Sequence, residues 1–283
     1  MINGVNQSTK AKQFYKLHHS GKMLVFPNVW DSLGAHLLES LGYPAIATAS
    51  AAIALSNGYL DGEIIPFAKV VPILRSIVES VEIPVSADIE CGYYLNNEQF
   101  ENNITQLLNT GIVGLNIEDF DSHSGLLLSI EEQSERISII RKVADKIGVP
   151  VFINARVDIY IHGDEFTTPE EKFAETVKRG LAYKMVGADC IFPIGIRQKD
   201  AIEKLISELK MPINILALPN IPDLKTLAEI GVARVSLGPG FLKIAMKAMK
   251  DLASKLKNQE GLNEVLENEV TSDYLKKLVS KEY

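Results

Sequence analysis

Short apolar runs rich in valine, isoleucine and alanine recur along the chain, each followed by a longer stretch with helical spacing. The runs cover residues 24–29, 45–50, 84–90, 114–118, 150–156, 189–193, 213–218 and 234–238. Near-continuous apolar strands are what parallel strands buried on both faces look like. Between the runs, Asn96…Gln99, Ser129…Glu132 and Thr168…Glu171 place a cap residue three positions before Glu or Gln, the capping-box spacing. Pro169 falls at a first helical position, and helices are expected to end near Gly42, Gly111, Gly148, Gly187 and Gly231. Eight strand-then-helix units at about thirty-residue spacing predict an α/β fold, a (β/α)8 TIM barrel. A doubly wound open sheet has the same local pattern but seldom runs to eight units. No linker divides the chain, so residues 1–283 are expected to form a single barrel domain. Residues 250–283, with Leu252, Leu256, Leu262, Leu266 and Leu278 at helical spacing, are expected to form a helical C-terminal extension.

Composition narrows the class. Twenty-nine Lys and Arg against 36 Asp and Glu leave a net charge of −7, and no basic footprint marks a nucleic-acid binder. No apolar run approaches the roughly 18 residues of a membrane span, and the first residues lack the charged start and apolar stretch of a signal peptide. Two cysteines, Cys91 and Cys190, are too few for a disulfide-stapled secreted domain. The expectation is an acidic cytoplasmic protein whose cysteines are packed core thiols.

In a barrel of this kind the active site lies at the C-terminal ends of the strands. Asp88 and Glu90 close the third run, Glu118 and Asp119 the fourth, Arg156 and Asp158 the fifth. Alternation along a strand turns Asp88 and Glu90 the same way. Clustered carboxylates repel unless a cation or protons offset them, and a hard divalent ion, Mg2+ or Mn2+, suits an all-oxygen set.

Ser86-Ala87-Asp88-Ile89-Glu90-Cys91-Gly92-Tyr93, Asn116-Ile117-Glu118-Asp119 and Asn154-Ala155-Arg156-Val157-Asp158 resemble the signature blocks of the isocitrate lyase / phosphoenolpyruvate mutase superfamily. Thr48-Ala49-Ser50-Ala51-Ala52-Ile53-Ala54 with Gly58-Tyr59-Leu60-Asp61, and the segment from Asp223 to Gly238, agree with two further blocks in the right order. The resemblance, which spans about residues 10 to 250, implies that Asp88 binds Mg2+ directly. Asp61, Glu90 and Glu118 would hold it mainly through waters. It also implies that Thr48, Ala49 and Ser50 receive a substrate carboxylate and that Arg156 clamps the substrate's oxygen end. The implied chemistry is cleavage of a bond next to the carbonyl of a small 2-oxo or 2-hydroxy acid, oxaloacetate- or malate-like, through a metal-stabilised enolate. The family further implies a homotetramer in which each eighth helix is exchanged with a neighbour. Phe241, Leu242, Ile244, Ala245, Met246, Ala248 and Met249 make that helix apolar over more than one face, which is independent motivation.

The chain also departs from the family. The loop after the fourth strand reads Phe120-Asp121-Ser122-His123-Ser124-Gly125-Leu126-Leu127, without the cysteine of the lyases or the lysine and asparagine of the mutases. His123 and Ser124 are its only reactive candidates, and the loop is expected to be a mobile lid. Phe192-Pro193-Ile194 stands where the tricarboxylate lyases have Phe-Pro-Glu, and Leu216-Ala217-Leu218 where they have Leu-Ala-Asn. The expected substrate is therefore smaller and less charged. A phosphonopyruvate hydrolase or phosphoenolpyruvate mutase type of C–P chemistry is the alternative. A barrel that binds a keto acid without turning it over is the second.

Overall fold

The computed structural model describes residues 4–94 and 96–283. Among the described residues, eight strands form a barrel; all eight run parallel and close on themselves. The first is in two pieces: Leu24–Phe26 pairs with the eighth strand, Arg234–Ser236, and Asn28–Val29 with the second, Ile46–Thr48. Pro27 between them has no N–H to give the ladder, which is why the strand changes partner there. The order continues through Val85–Asp88, Gly114–Glu118, Phe152–Val157 and Cys190–Pro193. A bridge from Ile191 to Ile213 joins the sixth strand to the seventh, Asn214–Leu216, which pairs with the eighth. The predicted TIM barrel is the fold.

Two apolar layers hold it. Outward-facing Ile117, Ile153, Ala155, Ile191 and Val235 are buried under helices including Phe67–Ser80, Ile130–Ile147, Pro169–Met185 and Lys199–Leu209. Inside, near the N-terminal ends of the strands, Phe26, Phe152 and Cys190 pack with Phe14 of the leading helix, Gly4–His18. Phe14 stacks on Phe26 with centroids 5.7 Å apart and meets Phe152 edge-on at 5.4 Å. Gly114 is required here, since a Cβ would lie 2.8 Å from the Phe14 ring. This helix plugs the end of the barrel remote from the expected site.

The expected caps form. Ser129 and Thr168 each make a full capping box, and Asn96 accepts the Gln99 amide at 2.9 Å. Strand ends are shorter than the apolar runs suggested. The third stops at Asp88, because Glu90 and Tyr93 take positive φ values of 52° and 57° that a strand cannot continue.

The C-terminal region does not divide at residue 250, for one helix runs unbroken over Gly240–Lys257. None of its side chains is buried in the single chain, and Ile244 and Met249 are 69% and 64% exposed. Two shorter helices follow, Leu262–Leu266 and Ser272–Ser280. The last returns to Ser32–Ser40, with Leu278 buried and the Tyr283 hydroxyl donating to Glu39 Oε2 at 2.7 Å. No described helix is long and apolar enough to cross a membrane.

Candidate active site

A cavity of about 190 Å3 opens at the C-terminal ends of the strands. Its polar lining comes chiefly from strands one to five and the loops that follow them: Asn28, Ser50, Asp61, Asp88, Asn116 and Arg156. Phe192, Ile194, Leu216 and Pro239 supply most of the remaining wall, from strands six to eight.

Arg156 ends the fifth strand between two carboxylates. Nη1 pairs with Glu118 Oε2, and Nη2 donates to Asp158 Oδ1 at 2.6 Å. Burial alone would pull the guanidinium toward deprotonation, but Asp158, Glu118 and Asp88 outweigh it and raise its pKa, holding it charged. The carboxylates respond the other way. Desolvation pushes Glu118 well above the ordinary range and also raises Asp88, with Arg156 opposing in both cases. Asp158 rises for the same reason. Carboxylates thus outnumber the single guanidinium in a desolvated place.

Asp88 is held by its backbone. Its amide donates to Thr48 Oγ1 at 3.1 Å, and Ser50 Oγ donates to its Oδ2 at 3.3 Å. Thr48 therefore faces its neighbour strand and not the cavity, which corrects one of three expected substrate contacts. Ala49 and Ser50 do line the cavity, although the Ala49 amide already donates to Val29 O at 3.3 Å.

Glu90 departs from its expected place. Because the strand has ended, its carboxylate turns to the loops, where the Gly62 and Glu63 amides donate to Oε2 at 2.8 and 2.6 Å. The Tyr93 hydroxyl donates to Oε1 at 2.7 Å, and the Tyr93 amide donates in turn to Glu63 Oε1 at 2.7 Å. Burial, opposed by the Tyr93 hydrogen bond, pushes Glu90 up to about 7. The expected four-residue metal set is only half assembled at the cavity: Asp61 and Asp88 line it, while Glu90 and Glu118 stand behind it. Among the described residues, no three His, Cys, Asp or Glu side chains gather closely enough to share an ion directly. The arrangement fits one direct carboxylate with the rest acting at longer range, and the uncompensated negative charge suits a hard cation.

Residues 120–128 are better anchored than expected. Phe120–Asp121 and Leu126–Leu127 form a small antiparallel hairpin, and Ser122 Oγ donates to Gly62 O at 3.0 Å. His123 and Ser124 are exposed on this hairpin and do not line the cavity. His123 Nδ1 instead stands 3.6 Å from both Glu63 Oε2 and Asp121 Oδ1. Asp119 is structural, taking the Asp158 amide, Arg179 Nη1 and the Tyr183 hydroxyl at 2.9, 2.8 and 2.7 Å. Cys91 and Cys190 are buried thiols, each pushed up to about 12 by desolvation. Trp30 borders an outer groove with Leu33 and Asn57.

Asn28 was not singled out from the sequence, yet it ties the barrel seam beside the cavity. Its Nδ2 donates to Thr48 O at 2.8 Å, and its Oδ1 accepts the Leu237 and Gly238 amides at 2.9 and 3.0 Å. The available signal was a polar residue near the end of an apolar run. Those same bonds account for Gly238-Pro239-Gly240 as a pinned turn.

The phosphoenolpyruvate phosphomutase family matches residues 14–257. An uncharacterized protein of Mycobacterium tuberculosis is 32% identical over 225 residues, 80% of this chain and 81% of that protein. The oxaloacetate decarboxylase of Pseudomonas entomophila is 28% identical over 260 residues, 88% of this chain and 84% of that protein. A crystal structure of phosphonopyruvate hydrolase in complex with oxalate and Mg2+ superposes with a TM-score of 0.83 at 23% identity. That superposition covers 96% of this chain and 95% of the other, a likeness of fold.

Proposed function

Because the chain belongs to the phosphoenolpyruvate phosphomutase family, within the isocitrate lyase / phosphoenolpyruvate mutase superfamily, we propose that it is a Mg2+-dependent enzyme acting on a small 2-oxo or 2-hydroxy acid. It cleaves a bond next to the carbonyl through an enolate, with oxaloacetate and malate as the reference shapes. The observation that carries this reading is the meeting of Asp88 and Arg156 in one small cavity. A volume near 190 Å3 lies below the roughly 300 Å3 at which drug-sized pockets begin and suits a compact acid.

Asp88 would hold the ion, with Asp61 beside it and Glu90 and Glu118 adding charge from behind. Bound Mg2+ supplies electrophilic stabilisation of negative charge developing on substrate oxygen. Arg156, which lines the same cavity, would stabilise that charge as well. Its guanidinium is already oriented by Glu118 and Asp158, so little reorganisation is needed as the charge grows. Ser50, whose hydroxyl donates to Asp88 Oδ2, would keep that carboxylate in place at the cavity. Glu90 fastens the Gly62–Glu63 turn that carries Asp61 toward the cavity.

Incubation with small keto acids and Mg2+, scored by direct product detection, tests the reading. Pyruvate release from oxaloacetate or a related acid, lost in Arg156→Lys, is the expected result. The solved phosphonopyruvate hydrolase of the same fold motivates a second reading, C–P cleavage. Phosphate release from phosphonopyruvate without C–C cleavage would establish it instead. Oxalate binding without any turnover would leave a keto-acid-binding barrel.

A further inference from the structure

The cavity wall opposite Asp61 and Asp88 offers a second carboxylate nothing to bind. Phe192 and Ile194 come from the end of the sixth strand, Leu216 from the seventh and Pro239 from the turn after the eighth. The backbone donors along this arc are already in use. The Ile194 amide donates to Phe192 O at 2.9 Å, and the Ala217 amide to Ser236 O at 2.8 Å. The Leu237 and Gly238 amides both go to Asn28 Oδ1, and proline has none. Ser236, the one hydroxyl here, donates to Asn214 Oδ1 and accepts from Arg234 Nε, each at 3.1 Å.

Cations are equally scarce. Among the described lining residues Arg156 is the only one, and it lies between Glu118 and Asp158 on the polar half. Arg234 is one alternation deeper on the eighth strand, wholly buried, and does not line the cavity. A carboxylate placed against this wall would be stripped of water with neither donor nor cation in return, a costly arrangement. An alkyl group there gains by leaving water.

The geometry points to a monocarboxylate substrate: a 2-oxo acid with a hydroxyl on its fourth carbon and an uncharged alkyl end seated against Phe192, Ile194 and Leu216, whose C3–C4 bond breaks to release an aldehyde, the hydroxyl proton passing through solvent to the enolate carbon. This rests on the proposed use of the polar half for the acid headgroup, and it narrows the reference shapes of oxaloacetate and malate. It also accounts for Ile194 standing where the tricarboxylate lyases have a glutamate. Leu218, the other such replacement, is not among the cavity's lining residues.

The test is titration calorimetry with Mg2+ present, using oxalate as headgroup probe and the pair 2-hydroxybutyrate and malate. The pair differs only in a terminal methyl against a carboxylate. The unmodified protein is expected to bind 2-hydroxybutyrate at least tenfold more tightly than malate. Ile194→Arg should reverse that order, with Ile194→Val retaining it. Equal or tighter malate binding, with oxalate bound, overturns the inference and leaves the headgroup reading standing. No binding of oxalate or of either hydroxy acid overturns both. The comparison on the unmodified protein does not depend on the variants folding.

Discussion

Arg156 donates from Nη2 to Asp158 Oδ1 at 2.6 Å, from one strand end, while its Nη1 pairs with Glu118 on the neighbouring strand. The guanidinium therefore reaches the cavity in an orientation set by two desolvated carboxylates. Asp158→Asn keeps the shape and removes one charge-assisted bond. We expect a loss of about 1–3 kcal/mol in urea denaturation. Turnover should fall by roughly 10–100-fold, as when other residues that orient a site group are changed. Unchanged kinetics would show that Glu118 alone suffices.

Asp88→Ala should abolish Mg2+ binding with little loss of fold, because the side chain lies at the mouth and contributes nothing to the apolar layers. Titration calorimetry showing equal Mg2+ affinity in variant and parent would remove Asp88 from the site.

His18 is buried in the plug of the barrel, with Nδ1 2.9 Å from Phe14 O. Burial, then the nearby Arg234 charge, lowers its pKa to about 3 from an ordinary 6.5. The folded protein keeps this ring neutral, whereas the unfolded chain takes up a proton below pH 6.5. Stability should therefore be complete above that pH and fall as pH drops from 6.5 toward 3, by at most about 1.4 kcal/mol per unit. Urea midpoints at pH 7 and pH 5 should differ less in His18→Asn than in the parent. Equal differences would exclude His18 as a source.

The hairpin at 120–128 is tied to the Gly62 turn chiefly at Ser122. We expect it to close over the mouth when an acid binds, slowing hydrogen exchange in this segment on addition of oxalate. Ser122→Ala should raise exchange in the free protein. An exchange pattern indifferent to oxalate would rule out a lid.

The helix Gly240–Lys257 exposes Ile244, Met246 and Met249 in the single chain, more apolar surface than a lone surface helix usually shows. We propose that it is covered by exchange with a second copy, and that dimers pair into a homotetramer. Light scattering at micromolar concentration should give a mass near four times 31.2 kDa. A stable monomer would contradict the proposal.

The barrel itself was legible because periodicity records burial. A parallel strand covered on both faces must be apolar throughout, and the helix starts at Ser129 and Thr168 carry their own hydrogen-bonding partners three residues on. Asp88 and Arg156 were equally legible, since strand ends in this fold face one mouth. Side-chain direction past a strand end was not. Glu90 leaves the alternation because its backbone takes a positive φ, and its carboxylate finds the Gly62 and Glu63 amides 28 and 27 residues away in sequence. His123 and Ser124 could be assigned to a loop but not to a side of it, and the hairpin turns them outward. The division of the cavity into polar and apolar halves belongs to tertiary structure alone. Asn28 consumes donors just past the eighth strand, more than two hundred positions away, and only closure of the barrel brings the two together.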